Sequence, residues 1–412
     1  MSTPRRQFLQ LGLALGGSTL CARVSLAAPA VADARFIFII LRGALDGLSA
    51  VPPYGDSDYA RLREQLAIGA PGSSDGALAL EGPFGLNPGL AFMHEAYAAR
   101  EAVIFHAVAT AYRERSHFDG QDVLESGVAV PHATQVGWLN RAVGALPSGG
   151  THGAELGVAL GQNVPLVLRG PAPIASWSPT RLPDIDEDTL QRIADRYAGD
   201  PLLSRRLSEA LATDRMAESA QPGASAPAMN GDATAARAGY GYARYVETVQ
   251  AAATFLKRED GPSVAVFDTT GWDTHFNEGG AQGALRQRLG ALDAALRTLK
   301  QSLGDTWGRT AVLIATEFGR TAAANGTRGT DHGTGAAAFL VGGAVRGGRV
   351  VCDWPGLSAH ALYEGRDLQP TLDLRAVIKG VLRDHLRLSG RKIDADVFPD
   401  RGIPYVADLI RA

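Results

Sequence analysis

Four short apolar runs restrict this chain more than any other feature. Each is rich in β-branched or aromatic residues, and each leads into a loop that carries acids, imidazoles or a hydroxyl. Arg35–Leu41 precedes Asp46, and Ala102–Ala107 precedes Ser116 and His117. Ser263–Phe267 precedes Asp273 and His275. Val312–Ala315 precedes Glu317 and, fourteen residues further on, Asp331 and His332. Runs of this length read as buried strands. Between them lie stretches of helical periodicity, most clearly Gly283–Leu303, with Leu285, Leu289, Leu292, Leu296 and Leu299 at spacings of three and four. Strands alternating with helices predict an α/β fold: one large domain with a mainly parallel sheet flanked by helices. In such a sheet, chemistry collects in the loops beyond the carboxyl ends of the strands.

The rest of the chain fits around that frame. Pro88–Arg100, residues 134–146 and Thr371–Leu386 read as helices, with His94 on an inner or boundary face of the first. Residues 154–168 read as one or two short strands, Ile174–Ser178 as a loop or edge, and Ala337–Val341 and Arg349–Cys352 as later strands. Residues 186–212 are polar and mostly helical. Residues 213–238 are low in complexity and read as an insert, after which Tyr240–Lys257 resumes as a helix. His106, inside a strand, reads as a hydrogen-bonded buried histidine. The Val397-Phe398-Pro399 segment is expected to dock the tail on the domain.

Composition removes several functions. A net charge of −3 with 20% charged residues offers no basic field for nucleic acid. No Gly-rich dinucleotide fingerprint, P-loop or Gly-x-Ser-x-Gly elbow is present. The 49 glycines and 22 prolines imply long loops, which suit an enzyme better than a helical scaffold.

At the N-terminus, Arg5-Arg6 precede a short apolar region, Leu9–Leu20, with a cleavage pattern at Ala28-Pro29-Ala30. Residues 1–30 thus resemble a twin-arginine export signal, too short and glycine-rich for a stable membrane span. The expectation is a periplasmic mature domain, 31–412, handled by the twin-arginine export machinery. Once Cys21 leaves with the signal, Cys352 remains alone and no intramolecular disulfide can form.

The chemistry lies at the four strand ends. Asp46 before Gly47 fits either a turn or a ligand. Ser116 fits a helix N-cap, with Gly127 closing the helix, or a nucleophile in the positive field of the helix start. Asp273 and His275, two apart in an extended segment, point to one side and can share an ion. Acids, imidazoles and a hydroxyl together suit a divalent metal, Zn or Mn, as one or two ions.

Several motifs running through the mature chain are similar to those of the domain of unknown function 1501 family: LRGALDG, RSHFDGQD, GWDTH, ATEFGRT with GTDHG, and DLQPTLDLRAVIKGVLRDHL. More distantly, the chain resembles the alkaline phosphatase and sulfatase superfamily. That resemblance implies an alkaline-phosphatase-like fold, with Asp46, Asp273, His275, Glu317 and His332 as metal ligands and Ser116 as a metal-bound nucleophile. Phe318 departs from the pattern, standing where the superfamily has a histidine ligand, so His117 or Asp331 substitutes or the second metal site is lost. A formylglycine sulfatase is disfavoured, because Phe118 and Gly120 occupy the positions its modification motif needs. The expected function is a metal-dependent hydrolase of phosphate or sulfate esters. Ser116 and His117 would act at the centre, and Arg42 or Arg320 would steady the anionic substrate. The alternative is a non-catalytic, metal-stabilised protein that binds an envelope glycan or a partner protein.

Overall fold

The structure is a computed structural model. It describes residues 34–147, 156–178, 233–400 and 402–411, with scattered positions between 193 and 208. The export signal, most of the 186–212 section and most of the 213–238 insert lie outside the described residues.

The first strand, β1 (Arg35–Leu41), is buried along its whole length. Ile37, Ile39 and Leu41 enter one core while Phe36, Phe38 and Ile40 enter the other. Both faces are covered, which is why the run is apolar throughout rather than alternating. The other strands are β2 (Leu78–Ala79), β3 (Gly85–Leu86), β4 (Ala102–Ala109), β5 (Gly157–Leu160), β6 (Ile174–Trp177), β7 (Val264–Thr269), β8 (Thr310–Ala315), β9 (Ala336–Val341), β10 (Arg349–Val351) and β11 (Leu372–Asp373). The large sheet runs β10-β4-β9-β8-β1-β7-β5-β6, with β11 also on β4, and β2 pairs with β3 alone. Within the large sheet only β9 is antiparallel to its neighbours. The mainly parallel sheet is therefore present, and Ile174–Ser178 resolves into its edge strand. Register levels the central carboxyl ends: Leu41 pairs with Thr269, and Ile40 with Ala315.

The helices used below are α1 (Gly47–Ala50), α2 (Ala91–Ala98), α3 (His117–Ser126), α4 (Trp138–Ala145), α5 (Ala233–Lys257), α6 (Ala284–Leu303) and α7 (Leu374–Asp384). Residues of α2, α5 and α6 fill one core, and those of α4 and α7 the other. The six leucines of α6, the five of the predicted stripe and Leu303, are all buried. Helix α5 begins at Ala233, inside the stretch expected to be an insert. His106 is buried and accepts from Ala107 N at Nδ1 while Nε2 meets Val51 O at 2.9 Å, so it is structural. Phe398 stacks on Trp138 with ring centroids 5.8 Å apart, docking the tail. No described helix is long and apolar enough to cross a membrane.

Candidate metal centre

Three loops leave the level ends of β1, β7 and β8, and a fourth comes from β4 through α3. Close approach explains their glycines. Gly43 has φ +118°, and a Cβ there would lie 2.6 Å from Asp273 N, so the β1 loop can touch the β7 loop only through glycine. Beyond β8 the chain turns back on itself, with Arg320 bridged to His332 and Gly333 N bonded to Gly319 O at 2.8 Å. A Cβ at Gly329 would strike the His275 carbonyl group at 2.5 Å. The glycines flanking Asp331-His332 thus let two loops meet face to face.

These loops bring three donor atoms together, with a fourth beside two of them. His117 Nε2 lies 2.9 Å from His332 Nε2 and 3.5 Å from Asp273 Oδ1, and His332 Nε2 lies 3.2 Å from Asp273 Oδ1. His275 Nε2 reaches His332 Nε2 and Asp273 Oδ1, at 3.0 Å from each. A tetrahedron with zinc-to-ligand bonds near 2.05 Å has edges of about 3.3 Å, so the spacings among His117, Asp273 and His332 fit one ion. Among the described residues, His117, Asp273 and His332 are the group whose ligand atoms converge, all within 4.8 Å of one another.

The far side of each ring decides what Nε2 can offer. His332 Nδ1 lies 3.0 Å from the Arg115 carbonyl oxygen, which can only accept, so Nδ1 carries the proton. His117 Nδ1 donates to Glu317 Oε1 at 2.8 Å, and His275 Nδ1 meets Asp331 Oδ1 at 3.3 Å. With all three protons on Nδ1, all three Nε2 atoms turn bare lone pairs toward one another and toward a carboxylate. Lone pairs at 3 Å repel unless a cation lies between them or a ring takes up a second proton. Imidazoles fixed in this tautomer by outer oxygens are the usual preparation for a metal.

Burial and neighbouring charges shift the groups around the site in different directions. The hydrogen bond to Glu317 raises the pKa of His117 above the ordinary imidazole value. Burial, with the charges of His117 and Arg320, lowers that of His332. Burial opposes ionisation of Asp273, but Arg320 outweighs it and keeps the carboxyl below its usual range. Asp331 is likewise held low, first by the hydrogen bond from Asn325.

Glu317 does not belong to the converging group. Its side chain is wholly buried and its oxygens are taken. Oε1 accepts from Gly43 N at 2.8 Å, His117 at 2.8 Å and Gln121 Nε2 at 3.1 Å, and Oε2 accepts from Thr316 Oγ1 at 2.9 Å. It orients His117 instead of facing the ion. Phe318 stacks behind the same ring, with centroids 5.0 Å apart at 27°. Of the two substitutes expected for the missing histidine, His117 is the one whose Nε2 points into the group, while Asp331 supports His275.

The remaining expectations are corrected by their partners. Arg320 is buried and donates to Ala44 O (2.7 Å), Gly43 O (2.7 Å), Thr330 O (3.1 Å), Trp272 O (3.2 Å) and the Asp273 carboxylate. It fastens three loops and is buried, so it is not placed to meet a substrate. Arg42 is held by Glu125 at 2.7 Å, Gln121 at 2.9 Å and the Asp268 carboxylate. Asp46 caps α1 through Leu48 N and Ser49 N and pairs with the buried Arg63, so it is not brought to the converging atoms. Ser116 is the N-cap of α3 without a side-chain capping bond, and its backbone N–H donates to Tyr112 Oη at 3.2 Å. The sequence did not flag Arg63, Gln121, Asn325 or Glu278. Glu278, three residues beyond His275, was the most accessible to reasoning, as an acid in a ligand loop.

A family model described as "Protein of unknown function (DUF1501)" matches residues 107–397. No curated protein matches the sequence significantly. Similar solved structures include Ps i-CgsB in complex with k-i-k-neocarrahexaose, at 10% identity and TM-score 0.34, covering 75% of this chain and 66% of that one. A phosphonate monoester hydrolase of Agrobacterium radiobacter is 12% identical with TM-score 0.34, covering 86% and 74%. BT1596, a 2-O GAG sulfatase, is 11% identical with TM-score 0.27, covering 87% and 71%. At such scores the likeness adds nothing to what the strands and side chains already establish.

Proposed function

We propose that this chain, which belongs to the DUF1501 family, is a metal-dependent hydrolase of anionic esters built on a single divalent ion. The observation that carries this reading is the pair of Nδ1-tethered imidazoles, His117 and His332, whose Nε2 atoms converge with Asp273 Oδ1. His117, His332 and Asp273 would hold the ion, with His275 next to the last two, and nitrogen donors with one carboxylate favour zinc, with manganese next. A bound divalent ion would supply Lewis acidity to an ester oxygen and to water.

The chain's own residues do the rest. Glu317, Asp331 and the Arg115 carbonyl fix the rings, and Arg320 fixes Asp273. The side chain of Arg366 is 43% exposed and donates to the His332 carbonyl, so it is the surface cation placed to meet an anionic group. It lines a cavity of about 270 Å³ with Asp331, Asn325, Leu62 and Leu362. Phe118 and Phe276, each one residue from a converging histidine, are 84% and 66% exposed and give the rim an apolar face. Among the described residues no hydrogen bond ties the Ser116 hydroxyl to His117, His332 or Asp273, and the reading takes water as the nucleophile.

The non-catalytic alternative would need a fourth protein donor to close the site, as in structural zinc. Against it, the side chains of Asp273 and His275 are 42% and 43% exposed, which leaves the group open to a ligand from solvent. The test is metal content of the purified mature protein, followed by turnover of aryl phosphate, phosphodiester and sulfate esters with added zinc or manganese. Absence of bound metal sinks both readings. Stoichiometric metal with no turnover of any ester, and unfolding on chelation, selects the structural one. We also infer export through the twin-arginine pathway on the strength of Arg5-Arg6. Replacing both with lysine should leave the protein in the cytoplasm, and unchanged periplasmic recovery would refute it.

A further inference from the structure

Close to the ligand loops lies a cluster that the proposed chemistry does not use. Arg63, Asp46 and Glu278 are all fully or almost fully buried. Arg63 pairs with the Asp46 carboxylate and donates to Ser49 Oγ at 2.7 Å and Thr321 O at 3.2 Å. Its distance to Glu278 Oε1 is 3.7 Å, too long for a hydrogen bond. Two carboxyl groups therefore share one guanidinium, which leaves a buried negative charge in excess if both are ionised.

The two oxygens of Glu278 are used very differently. Oε2 accepts from Thr274 Oγ1 at 3.0 Å and from Thr330 Oγ1 at 2.7 Å. Oε1 is buried and accepts no hydrogen bond. Thr274 lies between Asp273 and His275, and Thr330 immediately precedes Asp331 and His332. One carboxyl oxygen thus touches both ligand-bearing loops, which also join through Thr330 N to Thr274 O at 3.2 Å.

We propose that Glu278 is a positioning residue of the metal centre, spacing the Asp273–His275 loop from the Asp331–His332 loop through Thr274 and Thr330 while its second oxygen carries a proton donated to Asp46. The proton accounts for both oddities at once. It removes the surplus charge beside the shared guanidinium, and it gives the unpartnered Oε1 a hydrogen to donate. Burial and the neighbouring Asp46 push the Glu278 carboxyl well above its ordinary range, whereas Arg63 holds Asp46 low despite burial. This inference rests on the metal reading given above.

The test uses the mature protein with Glu278→Gln, Glu278→Ala and Thr330→Val. Zinc affinity is measured by competition with a chromogenic chelator, and cobalt is loaded separately to read ligand geometry from its visible spectrum. Unfolding midpoints of the metal-free proteins serve as the fold control. Glutamine reproduces the protonated acid, accepting from both threonines and donating to Asp46, so zinc affinity should stay within about threefold of the parent and the cobalt spectrum should be unchanged. Thr330→Val leaves Thr274 on Oε2, so the fold survives, but it should weaken zinc by about tenfold, the low end for lost outer support, and alter the cobalt spectrum. A residue that only stabilises the fold would shift the unfolding midpoint and leave affinity and spectrum alone, and that result overturns the inference. So does a loss in Glu278→Gln as large as in Glu278→Ala. A parent protein that binds no zinc overturns the metal reading itself, a different outcome from variants that bind as the parent does.

Discussion

Replacing Glu317 with glutamine isolates what orientation contributes to the metal centre. Three donors point at Oε1, namely Gly43 N, His117 Nδ1 and Gln121 Nε2, so the amide oxygen must take that position. The amide NH2 then falls beside Thr316 Oγ1, which can accept it once its one proton, given to Oε2 in the parent, turns to Leu41 O at 2.7 Å. Nothing in the packing has to move, and the loss is confined to one negative charge behind His117. That charge makes the 2.8 Å hydrogen bond charge-assisted and the opposite Nε2 more basic. Removing such support typically costs 10- to 100-fold in metal affinity, which is about 1.4 to 2.7 kcal/mol. Zinc competition should therefore show Glu317→Gln in that range. The unfolding midpoint of the metal-free form should move little, since a buried carboxylate and its desolvation cost are lost together. Glu317→Ala should be far worse for stability, because it leaves the three donors unpaired. If Glu317→Gln binds zinc within twofold of a parent that itself binds stoichiometrically, the carboxylate does not prepare His117 and the orientation argument fails.

The other predictions bear on separate parts of the molecule. His332→Ala removes the atom nearest both His117 and His275 and should abolish stoichiometric metal, read by elemental analysis; retained metal would relocate the site. Ser116→Ala should keep ester turnover within about tenfold of the parent, whereas a loss on the order of 10⁶, as when a true nucleophile is removed, would restore the serine to the mechanism. Acid should destabilise the fold through two buried neutral histidines, His106 and His385, whose pKa values burial lowers to about 4. Each unfolded imidazole regains a value of about 6.5, so between those limits the unfolded chain binds the extra proton and stability falls as pH drops, by about 3 kcal/mol per histidine over the window. Denaturation curves of His385→Gln should lose one histidine's share of that slope, about 1.4 kcal/mol per pH unit, and an unchanged slope would refute the assignment.

How far the sequence carried the interpretation depended on whether a feature is local. Strand runs such as Phe36–Leu41 and the leucine ladder of α6 are legible because each residue's burial follows from its neighbours' periodicity. The histidines were legible as candidates because they sit in loops after those strands. The roles of the acids were not. Asp46, Glu317 and Asp331 all follow strand ends, yet Asp46 belongs to Arg63, and the other two tie rings from outside. Which way a carboxylate faces is decided by donors as distant in sequence as Gly43 is from Glu317, and no local pattern records that. Arg42 and Arg320 failed as substrate clamps for the same reason. Their guanidinium groups are consumed by carbonyls and acids from several loops.

Phe318 shows how one apolar ring can hold a candidate ligand in place. The His117 imidazole comes from the first turn of α3. Phe318 lies flat behind it, and Gly120 leaves room, since a Cβ there would come within 2.8 Å of the Phe318 ring. Glu317, the residue before Phe318, stands on the outer side of the same imidazole, where it accepts from Nδ1 at 2.8 Å. A histidine in place of Phe318 should therefore not strengthen metal binding. Its ring would have to displace His117 from the space that Phe318 now backs, and Glu317 would lose the donor that offsets its burial. Phe318→Leu, which stays apolar but gives up the stacked face, should loosen His117 and weaken zinc severalfold. Equal affinity would mean that Glu317 alone holds the ring in place.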